Sequence, residues 1–181
     1  MIHPTAYIDR LAFVDRDKCR VGAGTWIHRF SSVTRGTVLG EDCVVWPLVN
    51  LDGPIIGDRC KIASGVVMGA GFKVGNDVFI GPNVTFANDL WPEANSEGFD
   101  YGPFREGRFT IVVENNAAIG ANVLLKPGVI IRAGALIEGG AVVDSGTVVP
   151  ENMLYLRTGV MKPIPSDRRA RRMRLLPEET R

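Results

Sequence analysis

The residues of this chain that could do chemistry are few, and their spacing narrows what they could do. Histidine occurs twice, at His3 and His28, and cysteine three times, at Cys19, Cys43 and Cys60. A catalytic zinc site of the three-histidine type needs more imidazoles than this, and the cysteines have no close pair of the kind that clamps zinc or forms a redox dithiol. No metal is expected, and an odd set of cysteines gives no disulfide framework. His28 is of a residue type suited to general-base work. No P-loop, dinucleotide fingerprint or G-x-S-x-G elbow occurs in a strand-to-helix context. The remaining concentration of reactive side chains is the turn FANDLWPE followed by residues 92–110, PEANSEGFDYGPFREGRFT, rich in glycine, proline, charge and aromatics. Such a segment reads as a projecting loop, and long loops in compact folds are commonly functional or disordered.

The elements that must position these residues are announced by a repeat. An aliphatic or aromatic residue recurs every six positions at Val21, Ile27, Val33, Leu39, Val45 and Leu51. After a one-residue deletion it resumes at Ile56, Ile62, Met68, Val74, Ile80 and Phe86. Beyond the loop it continues at Val113, Ile119, Leu125, Ile131, Ile137, Val143, Val149 and Tyr155. At a hydrophobic share of 45%, 20 successes in 20 positions would arise by chance roughly once in ten million trials. The position two before each is usually small or β-branched, as at Thr25, Ser31, Thr37, Val66, Val78, Val84 and Ala117, so period two places it on the same inward face. The three cysteines hold this position and read as small core fillers. Glycine often follows the aliphatic residue, as at Gly22, Gly40, Gly57, Gly69, Gly75, Gly81 and Gly120, which suits a tight corner. Each hexapeptide is thus one short strand and one turn. Six is not a helical period, and glycine, proline and β-branched residues are too frequent for long helices.

The chain has 181 residues, the size of one domain, and a net charge of +1, which gives no global pull toward nucleic acid or an anionic membrane. The opening MIHPTAYID lacks the basic flank and apolar stretch of a secretory signal, and no later run is long enough to span a bilayer, so a soluble, cytoplasmic protein is expected. Two parts are expected, a repeat domain over 1–162 and a tail over 163–181. In the tail Ser166 caps a short helix across DRRARRMRLL, stopped by Pro177 and docked through Met173 and Leu176. Its arginines read as a solvated or anion-contacting face rather than a nucleic-acid site.

The strict six-residue tandem resembles the hexapeptide-repeat acyltransferases, which implies an all-β, left-handed parallel β-helix whose coils are triangular prisms of three hexapeptides. The segment DVFIGPNVTFANDLWPEA and the later NAAIGANVLLKPGVIIRAGALIEGGAVV resemble a narrower branch, the sugar N-acetyltransferases that acetylate the 3-amino group of nucleotide-linked sugars. IHPTAYID and TWIHRFSSV are similar more weakly, so the resemblance spans roughly residues 2 to 160. It implies a homotrimer with acetyl-coenzyme A in the groove between neighbouring prisms and a nucleotide-linked amino sugar as partner. Asn88 would accept a hydrogen bond from the sugar amine. Backbone amides at Gly120, Ala121, Gly139 and Ala141 would line the pantetheine arm. Lys126, Arg132, Arg157 and Lys162 would contact coenzyme A phosphates. Asp89, Trp91, Tyr101, Phe104, Arg105 and Arg108 would cover the nucleotide sugar.

Departures from the family pattern include Glu93 after the turn proline, where arginine is frequent. His28 and Arg29 stand where a tryptophan-histidine pair is frequent, and Ser145 or Gly146 where lysine is. His28 holds a corner position often given to glycine, some three coils before Asn88, and a structural or interface role is expected for it. Two alternatives stay open at this point: acyl transfer to another small amine or hydroxyl, and a noncatalytic β-helix scaffold or binding module.

Overall fold

The computed structural model describes residues 1–94 and 106–165. Tyr101, Phe104, Arg105 and the expected helix after Ser166 lie outside the described residues. The chain winds as a left-handed parallel β-helix of about eight turns. The first turn lays down β1 (Tyr7–Ile8), β2 (Phe13–Val14) and β3 (Arg20–Val21). β4 (Trp26–Ile27) then stacks on β1 in parallel register, with Ile8 beside Ile27. Repetition builds three sheets, called faces I, II and III after β1, β2 and β3, of nine, seven and seven strands. The last strand, Met161–Pro163, turns back antiparallel on Met153–Tyr155 and closes the stack. Among the described residues there is no helix, so none is long and apolar enough to cross a membrane.

The six-residue period is the physical origin of this architecture. One turn of three hexapeptides returns each aliphatic residue above its predecessor, so Ile27, Val45, Ile62, Ile80, Ile119 and Ile137 form one buried ladder along face I. Every one of the 20 repeat positions is buried, as are the three cysteines. Burying each such aliphatic side chain stabilises the fold by about 1.5–3 kcal/mol relative to exposure. Thr25, Ser31 and Thr37, the polar residues inside the early turns, donate to the carbonyls of Gly40 (2.7 Å), Trp46 (2.9 Å) and Thr34 (2.7 Å). They also accept from the amides of Cys43, Val49 and Gly53. No buried side-chain nitrogen or oxygen among the described residues lacks a partner, which removes the penalty of an unpaired buried polar group.

The cysteines behave as core fillers with weak S–H donors. Cys43 and Cys60 sit in successive turns and donate to the carbonyls of Gly57 and Gly75, each at 3.1 Å. Hydrogen bonding to Cys43, and then burial, push the Cys60 thiol far above its ordinary range. Burial likewise raises Cys19. Hydrogen bonding with Cys60 lowers the Cys43 thiol, but all three are fully buried, unlike the accessible thiol of a nucleophile.

Candidate functional site

Three corners run the length of the prism, and the described residues predicted for the site lie on or beside them. The corner between faces II and III is where both irregularities of the repeat are absorbed. In the third turn it is one residue short, at Asp52–Gly53–Pro54. In the fifth turn the loop leaves after Thr85–Phe86 on face II and returns at Ile111–Val113 on face III. Asn88 sits at the departure point, exposed. Its Nδ2 lies 3.5 Å from where a Cβ on Gly69, one turn below, would stand. Asp89 Oδ1 accepts from the Trp91 amide at 2.8 Å, a local turn that leaves the Trp91 ring 84% exposed. The return stem is tied to the same lower turn: Thr110 N donates to Gly71 O at 2.7 Å, and the Lys73 ammonium lies 5.3 Å above the Phe109 ring. The Gly69–Ala70–Gly71 corner therefore seats both ends of the loop, and the Asn88 amide has no partner among the described residues.

The corner between faces I and II holds Gly120 and Ala121 in the sixth turn and Gly139 in the seventh. Here the structure separates amides that the sequence treated alike. Gly120 N donates to Ile137 O at 2.9 Å, and Ala141 is fully buried with its N–H on Glu138 O at 3.2 Å. Both amides belong to the solenoid. Ala121 N and Gly139 N have no acceptor among the described residues. They form two stacked, outward backbone donors, one turn and two turns beyond the level of Asn88. A sequence signal for them exists. Pro47 and Pro82 occupy the same corner position in the third and fifth turns, and proline has no N–H to lose, so the fold does not need a donor there.

Gly120 itself is required by packing. A Cβ on it would meet Gly139 N at 2.5 Å, as a Cβ on Gly22 would meet the Gly40 carbonyl carbon at 2.5 Å. Its smallness follows from corner stacking, with or without a ligand.

Three of the four cations expected to bind phosphate lie on three different corners, each already facing a carboxylate one turn away, while the fourth, Lys162, is exposed on the closing strand opposite Leu154. Lys126, on the Asn88 corner, meets Asp144 at 2.7 Å. Arg132, between faces III and I, meets Glu114 at 2.6 Å. Arg157, between faces I and II, meets Glu138 at 3.7 Å. All three are solvent-exposed pairs, worth little individually and open to exchange for another anion. Only Arg157 shares the corner of the free amides. His28 belongs to that corner as well, in the second turn, with its ring 6.3 Å from Trp26. His3 bonds locally to Thr5 at 2.9 Å. Neither histidine is near Asn88. No group of three or more histidine, cysteine, aspartate or glutamate side chains among the described residues is arranged to hold a metal ion.

Within one chain, then, Asn88 and the free amides lie on opposite edges of face II. A single prism does not bring them around one reacting atom.

Comparison with known proteins agrees with this architecture. Residues 53–88 match the family model of the bacterial transferase hexapeptide, and residues 110–145 match that of the hexapeptide repeat of succinyl-transferase. Over 62 residues, 34% of this chain, it is 36% identical to the bifunctional protein GlmU of Alkaliphilus oremlandii, of which it covers 13%. The crystal structure of PerB from Caulobacter crescentus in complex with CoA and GDP-perosamine superposes with a TM-score of 0.50 at 18% identity, covering 89% of this chain and 56% of that one. The acetyltransferase domain of PglB from Neisseria gonorrhoeae gives a TM-score of 0.42 at 18% identity, covering 91% and 57%. The chain thus spans less than two thirds of each of these relatives. From the six-residue ladder and the two family matches, it follows that residues 53–88 and 110–145 carry hexapeptide repeats of the kind found in bacterial transferases.

Proposed function

We propose that the protein is an acetyl-coenzyme A-dependent N-acetyltransferase acting on a 3-amino deoxysugar linked to a nucleoside diphosphate, working as a homotrimer with its sites between subunits. The observation that carries this reading is the unpartnered Asn88 amide at the root of the inserted loop, on the corner facing away from the two free backbone donors. PerB, which shares the fold, is held in its structure with CoA and GDP-perosamine, a ligand pair of the proposed kind.

The chemistry asks little of the protein in acid-base terms. An amine flanked by electron-withdrawing oxygens titrates near an α-amino group, about 8, so about a tenth is neutral at pH 7, at a cost of only ~1.4 kcal/mol. Asn88 Oδ1 accepts an N–H of that neutral amine and holds its lone pair toward the thioester carbon. The nitrogen attacks, the C–S bond breaks, the thiol of coenzyme A leaves, and the proton lost from nitrogen passes to the leaving sulfur or to water. Orientation of this kind contributes several kcal/mol. Ala121 N and Gly139 N fit the amide carbonyls of a pantetheine arm, and Arg157 on the same corner fits a phosphate.

Asn88→Ala tests the assignment. Turnover with an amino-sugar nucleotide should fall by about a hundredfold while the thermal midpoint and the assembly state stay as in the parent protein; unchanged turnover removes Asn88 from the mechanism. Calorimetric titration with coenzyme A should show binding near one site per chain. No heat at millimolar ligand would favour a noncatalytic scaffold.

A further inference from the structure

Seven glycines open a corner directly after a ladder residue, and for six of them the stack leaves no room for a side chain. A Cβ on Gly22, Gly40, Gly57, Gly75, Gly81 or Gly120 would meet backbone of the neighbouring turn at 2.5–2.9 Å. Gly69 is the exception. The nearest described atoms to a Cβ there are Asn88 Nδ2 at 3.5 Å and Phe72 Cε2 at 4.0 Å, both ordinary contacts with side chains, and its φ is not positive. In the same column the other turns carry Asp15, Thr34, Asp52, Ala87, Lys126 and Asp144, so this place on the corner does not call for glycine. Glycine loses more conformational freedom on folding than alanine would. Among the described residues, packing gives no reason for it at position 69.

The backbone of Gly69 departs from the pattern as well. At the six other glycines the N–H donates to a carbonyl one turn above at 2.8–2.9 Å, and in the column of Gly69 itself Asp15 N and Ala87 N do so at 2.9 Å. Met68 pairs with Phe86, which makes Phe86 O the counterpart acceptor for Gly69 N. That bond is absent, and Gly69 N has no other acceptor among the described residues. The side chains around it leave the N–H open. Asp52, one turn below, is turned the other way: its Oδ1 accepts from Thr34 Oγ1 at 2.6 Å and faces Arg35 Nε at 3.2 Å, both in the turn beneath it. Ala87, one turn above, offers only a methyl group. What remains is a half-buried notch floored by the Gly69 backbone, backed by the Phe72 ring and bordered by the Asn88 amide.

We infer that Gly69 selects the acceptor: its N–H donates to an oxygen on the sugar carbon next to the reacting amine, and its missing side chain lets the ring lie against the backbone. This rests on the function proposed above, in which Asn88 Oδ1 holds that amine. Because the Asn88 amide adjoins Gly69, a ring whose nitrogen sits on Asn88 carries its neighbouring substituent over the notch. An oxygen there, hydroxyl or keto, accepts the open N–H. A methylene at the same place leaves the donor unpaired and excludes the water that would otherwise serve it. The substrate class is thereby narrowed to amino sugars that keep an oxygen on a carbon flanking the amine.

The experiment compares the whole parent chain with Gly69→Ala and Gly69→Val, using an amino-sugar nucleotide and its analogue lacking the oxygen next to the amine. The parent should prefer the oxygen-bearing acceptor by about tenfold in kcat/KM. Gly69→Ala should match or exceed the parent's thermal midpoint and bind coenzyme A as the parent does. Its KM for the oxygen-bearing acceptor should rise by about tenfold or more, the preference between the two acceptors should close, and Gly69→Val should be worse again. An unchanged acceptor KM in Gly69→Ala overturns the assignment. So does a fall in kcat at constant KM, which would mean that the residue acts through Asn88, and so does a lowered thermal midpoint, which would mean that the fold requires the glycine. A parent chain that acetylates no amino-sugar nucleotide sinks the proposed function and this inference together, whereas an active parent with an indifferent Gly69→Ala sinks the inference alone.

Discussion

The corner between faces III and I and the corner between faces I and II are built from the same hexapeptide, yet they are finished differently. Along the III/I corner four second-position amides are capped from the next turn or the one before, as Arg157 N on the I/II corner is by Glu138 Oε2 at 2.8 Å. Glu41 N donates to Asp58 Oδ1 (2.9 Å), Asp58 N to Asn76 Oδ1 (2.8 Å), Asn76 N to Asn115 Oδ1 (2.8 Å) and Ala133 N to Glu114 Oε2 (3.0 Å). Third positions there are polar or glycine, and Arg59 grips Asp77 with two bonds of 2.8 Å. Along the I/II corner, Ala121 N and Gly139 N are left open, and Phe30 and Leu48 stand exposed. A corner that satisfies itself is architecture. A corner that leaves donors and apolar surface unsatisfied is the one that the proposed function uses.

The strongest test of what the two corners share is glycine. Gly120→Ala on the I/II corner and Gly57→Ala on the III/I corner should each destabilise the fold by about 3 kcal/mol or more, because the new Cβ meets backbone under 3.0 Å. Denaturant unfolding would measure this, and an effect confined to one corner would break the equivalence of their packing. Next in size is a proline exchange. Ala121→Pro copies Pro47 and Pro82 and deletes only an N–H, so it should weaken coenzyme A binding by about tenfold, or ~1.4 kcal/mol, with the thermal midpoint unchanged. Lost stability with intact binding would mean that the amide serves the fold.

Asn76→Ala, on the capped corner, should do the reverse. It removes the acceptor for Asp58 N and should cost about 1 kcal/mol of stability, with no change in ligand affinity. The smallest effect concerns pH. Hydrogen bonding to Arg59 holds the Asp77 carboxyl below its ordinary value. A depressed carboxylate contributes stability that is present above the unfolded value of about 3.9 and fades as pH falls through the folded one. Asp77→Asn should therefore lie slightly below the parent in thermal midpoint at pH 7, and the two curves should converge on acidification below about pH 4. Parallel curves would show that this exposed pair contributes nothing.

Much of this was readable in the chain itself, for a definite reason. A six-residue period with an inward residue at every repeat leaves one way to bury the aliphatic ladder, so the buried set, the role of Cys19, Cys43 and Cys60, and the loop's interruption of a turn all follow from spacing. Asn88 is singled out by the resemblance of its FANDLWP turn to the sugar N-acetyltransferases, at the point where the inserted segment breaks the pattern. The sequence could not say which corner each residue occupies, since that depends on how deletions and insertions are absorbed. Lys126, Arg132 and Arg157 read as one group of cations, and the winding spread them over three corners and paired each with a carboxylate. Nor does a sequence distinguish amides used in the ladder, at Gly120 and Ala141, from those left open, at Ala121 and Gly139. Backbone hydrogen bonds between stacked turns join residues 16 to 40 positions apart, and only the stacked structure decides which donors they consume.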